Sequence, residues 1–545
     1  MISTWYRRAF LLALASLAAF GAAAHVAPPL AAVREGLDPG LGPLHHAVTT
    51  RSKAAQARFD QGMRLVFAFN HEAAIKSFER ALELDPGLAM AQWGIAYALG
   101  PNINRPMDTA AHKAAYAAMQ KAIALKPKAS PAERAYIDAL SKRYSANPDA
   151  DVGPLQVAYK DAMRDLVRRN PNDNDAAVLY AESLMDLNPW KFWAPDGTPA
   201  EGTLEIVAVL ERVLARDPAH TGANHYYIHA VEASPRPEKA VASAKRLATL
   251  APSAGHLVHM PAHTYIRTGR YIEAAHSNIE AVRADERLAS VAADAAPFYL
   301  IGYYGHNLHF LAISNAFAGK SRDALAAASK LYAVQAPRIK EVPFVDGFLM
   351  TPALLLTEFE RWDDVLALPE PAFEAPMTDA MWHLARTLAF ATRNRAGDAQ
   401  AERVKFLAAA GALAKTIEYG NNNAEMLAAV ARPYLDGRLA LIAGDDMAAI
   451  ALLRRAVAAE DALTYDEPPA WYLPSRDALG AALLRAGDLP AAEQVFRDEL
   501  AIHRESGRAL HGLQTALARQ GRDREAAAVR RRFEHAWREA DVKLD

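Results

Sequence analysis

The sequence predicts an all-α protein, built as a solenoid of repeated helix pairs. From Ser52 onward, alanine, leucine and arginine recur at helical spacing, and Asp-Pro, Asn-Pro and Lys-Pro pairs stand where helices would end. Strand-like alternation of polar and apolar residues is nearly absent. Aligned with itself, the chain shows a repeat of about 34 residues, which is the length of a two-helix unit.

The first unit shows how such a pair of helices would pack. Small residues let the two helices approach, large residues fill the gap between them, and a proline ends the second helix. Residues of these kinds stand at Gly62, Leu65, Ala74, Phe78, Ala81 and Pro86. This spacing resembles that of a tetratricopeptide repeat (TPR). The resemblance implies a right-handed superhelix of antiparallel helix pairs with a concave groove.

The resemblance extends over most of residues 52–536. We expect an N-terminal array over residues 52–340, and a C-terminal array with a capping helix over residues 341–545. Insertions interrupt the repeat at three places: Gly100–Asp108, Asn188–Gly202 and Leu288–Tyr304.

The N-terminus carries the pattern of an export signal. Arg7 and Arg8 precede an apolar run over residues 9–20 and a small-residue stretch that ends at Ala24. This layout predicts a cleaved signal peptide over residues 1–24, of the general secretory or the twin-arginine type, followed by a linker over residues 25–51. No later run is long enough for a membrane span, so we expect a periplasmic or secreted protein.

The amino-acid composition excludes several functions and several kinds of metal site. The 545 residues contain 61 Lys and Arg against 63 Asp and Glu, so the chain lacks the basic excess that binding nucleic acid requires. It contains no cysteine, which excludes disulfides, thiolate nucleophiles, iron–sulfur clusters and cysteine-ligated zinc. Any metal must be held by histidine, carboxylate or methionine.

Histidines are concentrated in one part of the chain. Nine of the 18 lie between His220 and His309, where an even spread would place about three. The repeat register puts seven of them on the first helices of three successive repeats: His225, His229, His256, His259, His263, His306 and His309. In the TPR family these positions line the concave groove, so the resemblance implies that all seven face one cavity.

Helical geometry supports a metal site at these histidines. Spacings of three and four residues put two imidazoles on one face of a helix, about one turn apart, which suits a shared metal ion. Such pairs are His225 with His229, His259 with His263, His256 with His259, and His306 with His309. Imidazole ligation without sulfur suits copper, zinc or iron, and we favour copper, with enough histidines for two ions.

Two glutamates lie in the same predicted groove. Glu232 follows His229 by one turn, and Glu182 takes an inward position one repeat earlier. Either side chain could orient an imidazole, bind the metal or act as a general base. We treat both as candidate catalytic residues.

Three functions fit this pattern. The first is a metal-dependent enzyme, an oxidoreductase or a hydrolase, acting on a small molecule or peptide in the groove. The second is a periplasmic TPR scaffold that binds a peptide or protein, with the histidines forming a polar groove. The third is a metal-storage or delivery protein. The sequence does not specify the substrate or the oligomeric state.

Overall fold

The computed structural model describes residues 36–292, 297–413 and 417–544, and its regular structure is almost entirely helical. Fifteen helices make up the N-terminal part: α1 (Lys53–Phe67), α2 (His71–Leu84), α3 (Ala89–Ala98), α4 (Thr109–Leu125), α5 (Pro131–Leu140), α6 (Val152–Arg169), α7 (Asn174–Met185), α8 (Thr203–Arg216), α9 (Thr221–Glu232), α10 (Val241–Leu250), α11 (Gly255–His259), α12 (Pro261–Arg267), α13 (Tyr271–Ala292), α14 (Pro297–Phe317) and α15 (Ser321–Gln335).

The C-terminal part continues the series of helices and adds one hairpin. Its elements are α16 (Asp346–Leu349), α17 (Thr351–Glu358), α18 (Trp362–Ala367), α19 (Pro376–Thr392), α20 (Ala396–Ala412), β1 (Glu418–Tyr419), β2 (Asn422–Asn423), α21 (Ala424–Ala443), α22 (Asp446–Glu460), α23 (Ser475–Ala486), α24 (Leu489–Ile502), α25 (Gly507–Arg519) and α26 (Asp523–Ala536). The strands β1 and β2 pair antiparallel and form the only sheet in the described residues.

Successive helices pack against each other as pairs joined by short turns. Three residues separate α1 from α2, and such a short connection forces neighbouring helices to run antiparallel. The predicted all-α solenoid is confirmed.

Small and large residues pack as the repeat pattern predicts. A Cβ atom added at Gly62 or at Gly94 would lie 2.3 or 2.7 Å from the Phe78 ring, so both glycines are needed for the phenyl ring to fit. The same arrangement recurs in the C-terminal part, where Gly480 and Gly512 face the Phe496 ring at 2.3 and 2.2 Å. The same packing unit therefore recurs at both ends of the chain.

The core consists of two large apolar clusters in sequence. One spans residues 41–318 and the other spans residues 275–529. They overlap in α13 and α14, so the core continues from one cluster to the other through these two helices. Helix α14 also carries His306 and His309.

The predicted signal peptide, residues 1–24, lies outside the described residues. Of the predicted linker, residues 36–51 are described, and they pack on the repeats: His46 Nδ1 lies 2.5 Å from Asp175 Oδ2, and His45 Nδ1 lies 2.7 Å from Asp60 Oδ2. None of the described helices combines the length and apolar character that crossing a membrane requires.

Candidate metal centre

Three first helices of neighbouring repeats bring six of the predicted histidines together. Helix α9 carries His225 and His229, and α14 carries His306. The first helix of the middle repeat is divided at Met260 by Pro261 into α11 and α12, and these carry the other three: His256, His259 and His263. All six are buried except His306, which is partly exposed.

The six side chains form two sets of three. In the first triad (His225, His229 and His256), the candidate ligand atoms lie within 4.8 Å of one another, and the Nε2 atoms of His225 and His256 are 3.1 Å apart. In the second triad (His259, His263 and His306), His259 Nε2 lies 2.8 Å from His263 Nε2 and 3.1 Å from His306 Nε2. Each triad combines an i, i+4 pair from one repeat with a single histidine from the next.

Hydrogen bonds on the outer side of the rings fix which nitrogen points inward. His225 Nδ1 lies 2.7 Å from the Phe67 carbonyl oxygen, which can only accept a hydrogen bond. His259 Nδ1 lies 2.7 Å from Asn278 Oδ1, and Asn278 Nδ2 donates to the Ala274 carbonyl, which settles the orientation of that amide. Both imidazoles therefore carry hydrogen on Nδ1 and turn an Nε2 lone pair toward the cluster.

Glu232 accepts hydrogen bonds from two further rings, one from each triad. Its Oε1 lies 2.7 Å from His229 Nδ1, and its Oε2 lies 2.5 Å from His263 Nδ1. Burial alone would raise the pKa of Glu232, but the neighbouring charge of His263 and hydrogen bonds from both imidazoles lower it to about 2. The carboxylate is therefore ionised and accepts from both rings.

Burial keeps most of the rings neutral. Desolvation lowers the pKa of His225, His256, His259 and His306 well below the ordinary value, and neighbouring imidazoles lower it further. Neutral imidazole is the form that binds a metal ion.

Two nitrogen lone pairs face each other in the second triad. Because Nδ1 carries the hydrogen in both His259 and His263, the two Nε2 atoms at 2.8 Å have no hydrogen between them when the rings are neutral. In the first triad, the buried His229 Nε2 has no hydrogen-bond partner among the described residues. Both triads thus present electron pairs that a cation would satisfy.

Aromatic rings surround the imidazoles. Phe69 lies 4.6 Å from His225, and Trp190 lies 5.1 Å from His229, measured between ring centroids. Tyr303 lies 4.6 Å from His256, and Phe310 lies 4.9 Å from His259. Trp190 and Tyr303 belong to two of the insertions that interrupt the repeat pattern, so these insertions help to enclose the site.

A loop between α22 and α23 closes the site from the C-terminal array. The Tyr465 hydroxyl lies 3.2 Å from Glu232 Oε2 and 3.1 Å from Glu467 Oε1. Asn422 of β2 holds this loop by two hydrogen bonds to the Thr464 backbone, of 2.8 and 2.9 Å. Burial raises the pKa of Glu467 to about 8, so a protonated Glu467 can donate to Tyr465 while Tyr465 donates to Glu232.

Sequence reasoning missed Tyr465, Asn278 and the Phe67 carbonyl. Their contacts join residues that are far apart in the chain or run through backbone atoms, and neither kind leaves a local pattern. Of the three, only Asn278 could have been proposed from the sequence, because it lies on the second helix of the repeat that carries His259.

Two predicted site residues lie outside the triads. The His309 ring contacts Phe348 and Tyr472, and its buried Nε2 has no hydrogen-bond partner among the described residues. Glu182 accepts a hydrogen bond from Tyr97 in a separate buried network with Arg143, where burial raises its pKa. The structure therefore does not bring Glu182 to the histidines.

Comparison with known proteins identifies similar solved structures. No family model and no curated protein matches the sequence. Among solved structures, yeast Tom70 is similar over 87% of this chain and 97% of its own, at 13% identity and a TM-score of 0.33. Human IFIT1, solved as a dimer with m7Gppp-AAAA, is similar over 91% of this chain and 92% of its own, at 12% identity and a TM-score of 0.30. The P58(IPK) TPR domain is similar over 86% of this chain and 99% of its own, at 12% identity and a TM-score of 0.21.

The two triads have the donor set and spacing of transition-metal sites. Metal–nitrogen bonds of roughly 2.0–2.1 Å place two ligands of a tetrahedral ion about 3.3 Å apart. The closest Nε2 separations here are 2.8 and 3.1 Å, so small rotations of the rings would admit an ion. Glu232, Asn278 and the Phe67 carbonyl supply the outer hydrogen bonds that orient metal-binding imidazoles.

Proposed function

We propose that this protein is a metal-dependent enzyme that holds two transition-metal ions, one in each histidine triad. The observation that carries the proposal is the pair of facing Nε2 lone pairs of His259 and His263, 2.8 Å apart and buried. A proton between them would charge one of the two imidazoles, and burial lowers the pKa of His259 well below its ordinary value. A metal ion satisfies both nitrogens with the rings neutral.

The ligands favour copper, with zinc and iron as alternatives. All six ligand atoms are imidazole nitrogens, and affinity for such sites rises along the divalent first-row metals to a maximum at copper. Export, which the N-terminal segment predicts, belongs to the same proposal and would place the protein in the periplasm or outside the cell.

Three ligands per ion favour catalysis over a structural role. Structural zinc sites are usually closed by four protein ligands, whereas catalytic sites keep one position for water or substrate. Each triad offers three histidines, and Glu232, which could also group with His229 and His263 around an ion, already accepts hydrogen bonds from both of these imidazoles. A position on each ion is therefore left for a small molecule.

A peptide-binding scaffold fits these residues less well. Five of the six triad histidines are at most 1% exposed, and the Tyr465 loop covers Glu232 between them. A peptide would need an open groove along these helices. A storage protein would release its metal readily, which the same burial opposes.

Metal analysis after exhaustive dialysis tests the proposal. The parent chain should retain two ions, and the double variant His259→Ala/His263→Ala should lose the ion of the second triad while keeping its helical circular dichroism. His309→Leu is the matched control, because His309 is buried on the same helix as His306 but belongs to neither triad. His503→Ala and His511→Ala, in the C-terminal array, should also keep both ions. A parent chain that retains no metal after incubation with Cu(II) or Zn(II) would contradict the proposal.

A further inference from the structure

The six rings form one cluster. Within the triads, the centroids of the imidazoles are 4.7 to 6.1 Å apart. Between the triads, His229 lies 5.3 Å from His263, and His256 lies 5.9 Å from His259. The gap between the triads is thus no wider than the spacing inside them, so the two ion positions are neighbours.

One carboxylate ties the triads together. Glu232 accepts a hydrogen bond from His229 of the first triad on one oxygen and from His263 of the second triad on the other. The two oxygens of a carboxylate are rigidly connected, so a displacement of one ring is transmitted to the other. Two ions bound by these rings would therefore be held in a fixed mutual arrangement.

The surroundings select for a small apolar ligand. Phe69, Phe310, Tyr303 and Trp190 wall the cluster with aromatic rings. Of the six histidines, only His306 is partly exposed, so a ligand that enters from solvent would first meet the cluster at that residue. An apolar diatomic molecule can follow this route at little desolvation cost, whereas an anion or a peptide would be penalised by the apolar walls.

Glu232 is poorly suited to hydrolysis. A general base must be free to take a proton from the attacking water. Both oxygens of Glu232 already accept hydrogen bonds from imidazoles, and Oε2 also lies within reach of the Tyr465 hydroxyl. Glu232 thus orients ligands and is not itself a free base.

From these features we propose that the triads form a dinuclear copper centre that binds dioxygen between its two ions. This inference rests on the proposed function and specifies its small-molecule ligand. The reaction starts from the reduced pair: each Cu(I) gives one electron to O2, which becomes bound peroxide with an O–O single bond, and both ions become Cu(II). No proton moves in this step.

The experiment uses the full chain, stripped of metal, loaded with Cu(I) without air and then exposed to dioxygen. We expect two copper ions per chain, uptake of one O2 per two ions, conversion to Cu(II) at the X-ray absorption edge, and no electron paramagnetic resonance signal, because two bridged Cu(II) spins couple. An electron paramagnetic resonance signal whose integral accounts for both Cu(II) ions would overturn the proposed coupling between them. It would not contradict the two metal sites. If the bound copper stays reduced and consumes no dioxygen, the proposal that dioxygen is the ligand is overturned. A chain that binds no copper but retains zinc would overturn the copper centre alone, and a chain that retains neither metal would overturn the proposed function itself.

Single-triad variants provide the internal comparison. His225→Ala/His229→Ala, or His306→Ala if the double variant does not fold, should leave one occupied triad, whose oxidised ion gives a full mononuclear signal. His309→Leu should behave as the parent chain does. If either single-triad variant gave no electron paramagnetic resonance signal, as we expect for the parent chain, the proposed coupling between two ions would also be overturned.

Discussion

Replacement of Glu232 by glutamine changes one oxygen of the side chain into an NH2 group. A glutamine can accept from only one of His229 and His263, so the other ring loses the acceptor that fixes its tautomer. We expect copper affinity at one of the two sites to fall by about 10- to 100-fold, the usual effect of losing an outer hydrogen bond to a ligand. Competition with a chelator measures this change.

Glu499→Gln is the matched control for that variant. Glu499 is also buried and also accepts from an imidazole, His503 Nδ1 at 2.6 Å, but in the C-terminal array. Its replacement should leave both copper affinities unchanged. Equal losses in the two variants would mean that Glu232 acts on stability alone.

Buried histidines also make the metal-free protein sensitive to acid. Burial lowers the pKa of His309 to about 3, whereas an unfolded histidine titrates near 6.5. Between these values the unfolded chain binds a proton that the folded chain does not, so the free energy of unfolding falls as pH falls from about 6.5. The His309→Leu variant should lose stability less steeply, by up to about 1.4 kcal/mol per pH unit.

Chemical denaturation of the metal-free chain between pH 5 and pH 7 measures this slope. His276→Gln is the control, because His276 is exposed on α13 and its replacement should leave the slope as in the parent. If the parent and His309→Leu lose stability equally with falling pH, His309 does not contribute to the acid sensitivity.

The N-terminal end of helix α11 packs closely against helix α13. A Cβ atom at Gly255 would lie 1.9 Å from Asp285 Oδ1. Asp285 accepts from the Tyr299 hydroxyl at 3.1 Å, and that hydroxyl accepts from the His256 backbone N–H at 2.8 Å. This chain of contacts fixes the position of His256 in the first triad.

Gly255→Ala should therefore weaken both stability and the first triad. We expect the free energy of unfolding to fall by about 1–3 kcal/mol, as for other overpacked sites, and copper to dissociate faster from the triad that contains His256. Denaturation and chelator-induced copper release measure the two effects. Gly397→Ala, a helical position with nothing within 4 Å of the added Cβ, should lower neither the stability nor the copper retention.

The helix pattern explains which parts of the site were predictable. Spacing along a helix is local, so His225, His229, His259 and His263 could be placed on a common face from the sequence. His309 was placed there too, but a residue three positions beyond His306 is rotated by about 60° from it around the helix axis, and its ring turns toward Phe348.

The repeat pattern predicts the fold of the molecule, but part of the site is formed by contacts between residues that are far apart in the sequence. Packing residues such as Gly62 and Phe78 recur with the repeat, so the sequence contains many copies of the same information. The contact of Tyr465 with Glu232 occurs once and joins positions 233 residues apart. No periodic pattern can predict such a contact.

Metal binding should stabilise the whole solenoid, because the triads join α9, α11, α12 and α14. An ion that binds only the folded chain adds about 2.7 kcal/mol when its free concentration is 100 times the dissociation constant. Scanning calorimetry should show a higher melting temperature with copper than with chelator, and a smaller increase in the His259→Ala/His263→Ala variant. An unchanged melting temperature would show that folding and metal binding are independent.

The position of Tyr465 in the chain also sets an order of events during synthesis. All six triad histidines leave the ribosome before Tyr465 does, and the 233 residues that separate it from Glu232 take roughly 10–50 s to translate. During that interval the histidine face lacks its cover from the C-terminal array. An ion that arrives in this period meets an open surface, whereas a later ion must enter past a closed loop. If the chain binds metal as proposed, its age at first contact with the ion governs how fast it is loaded.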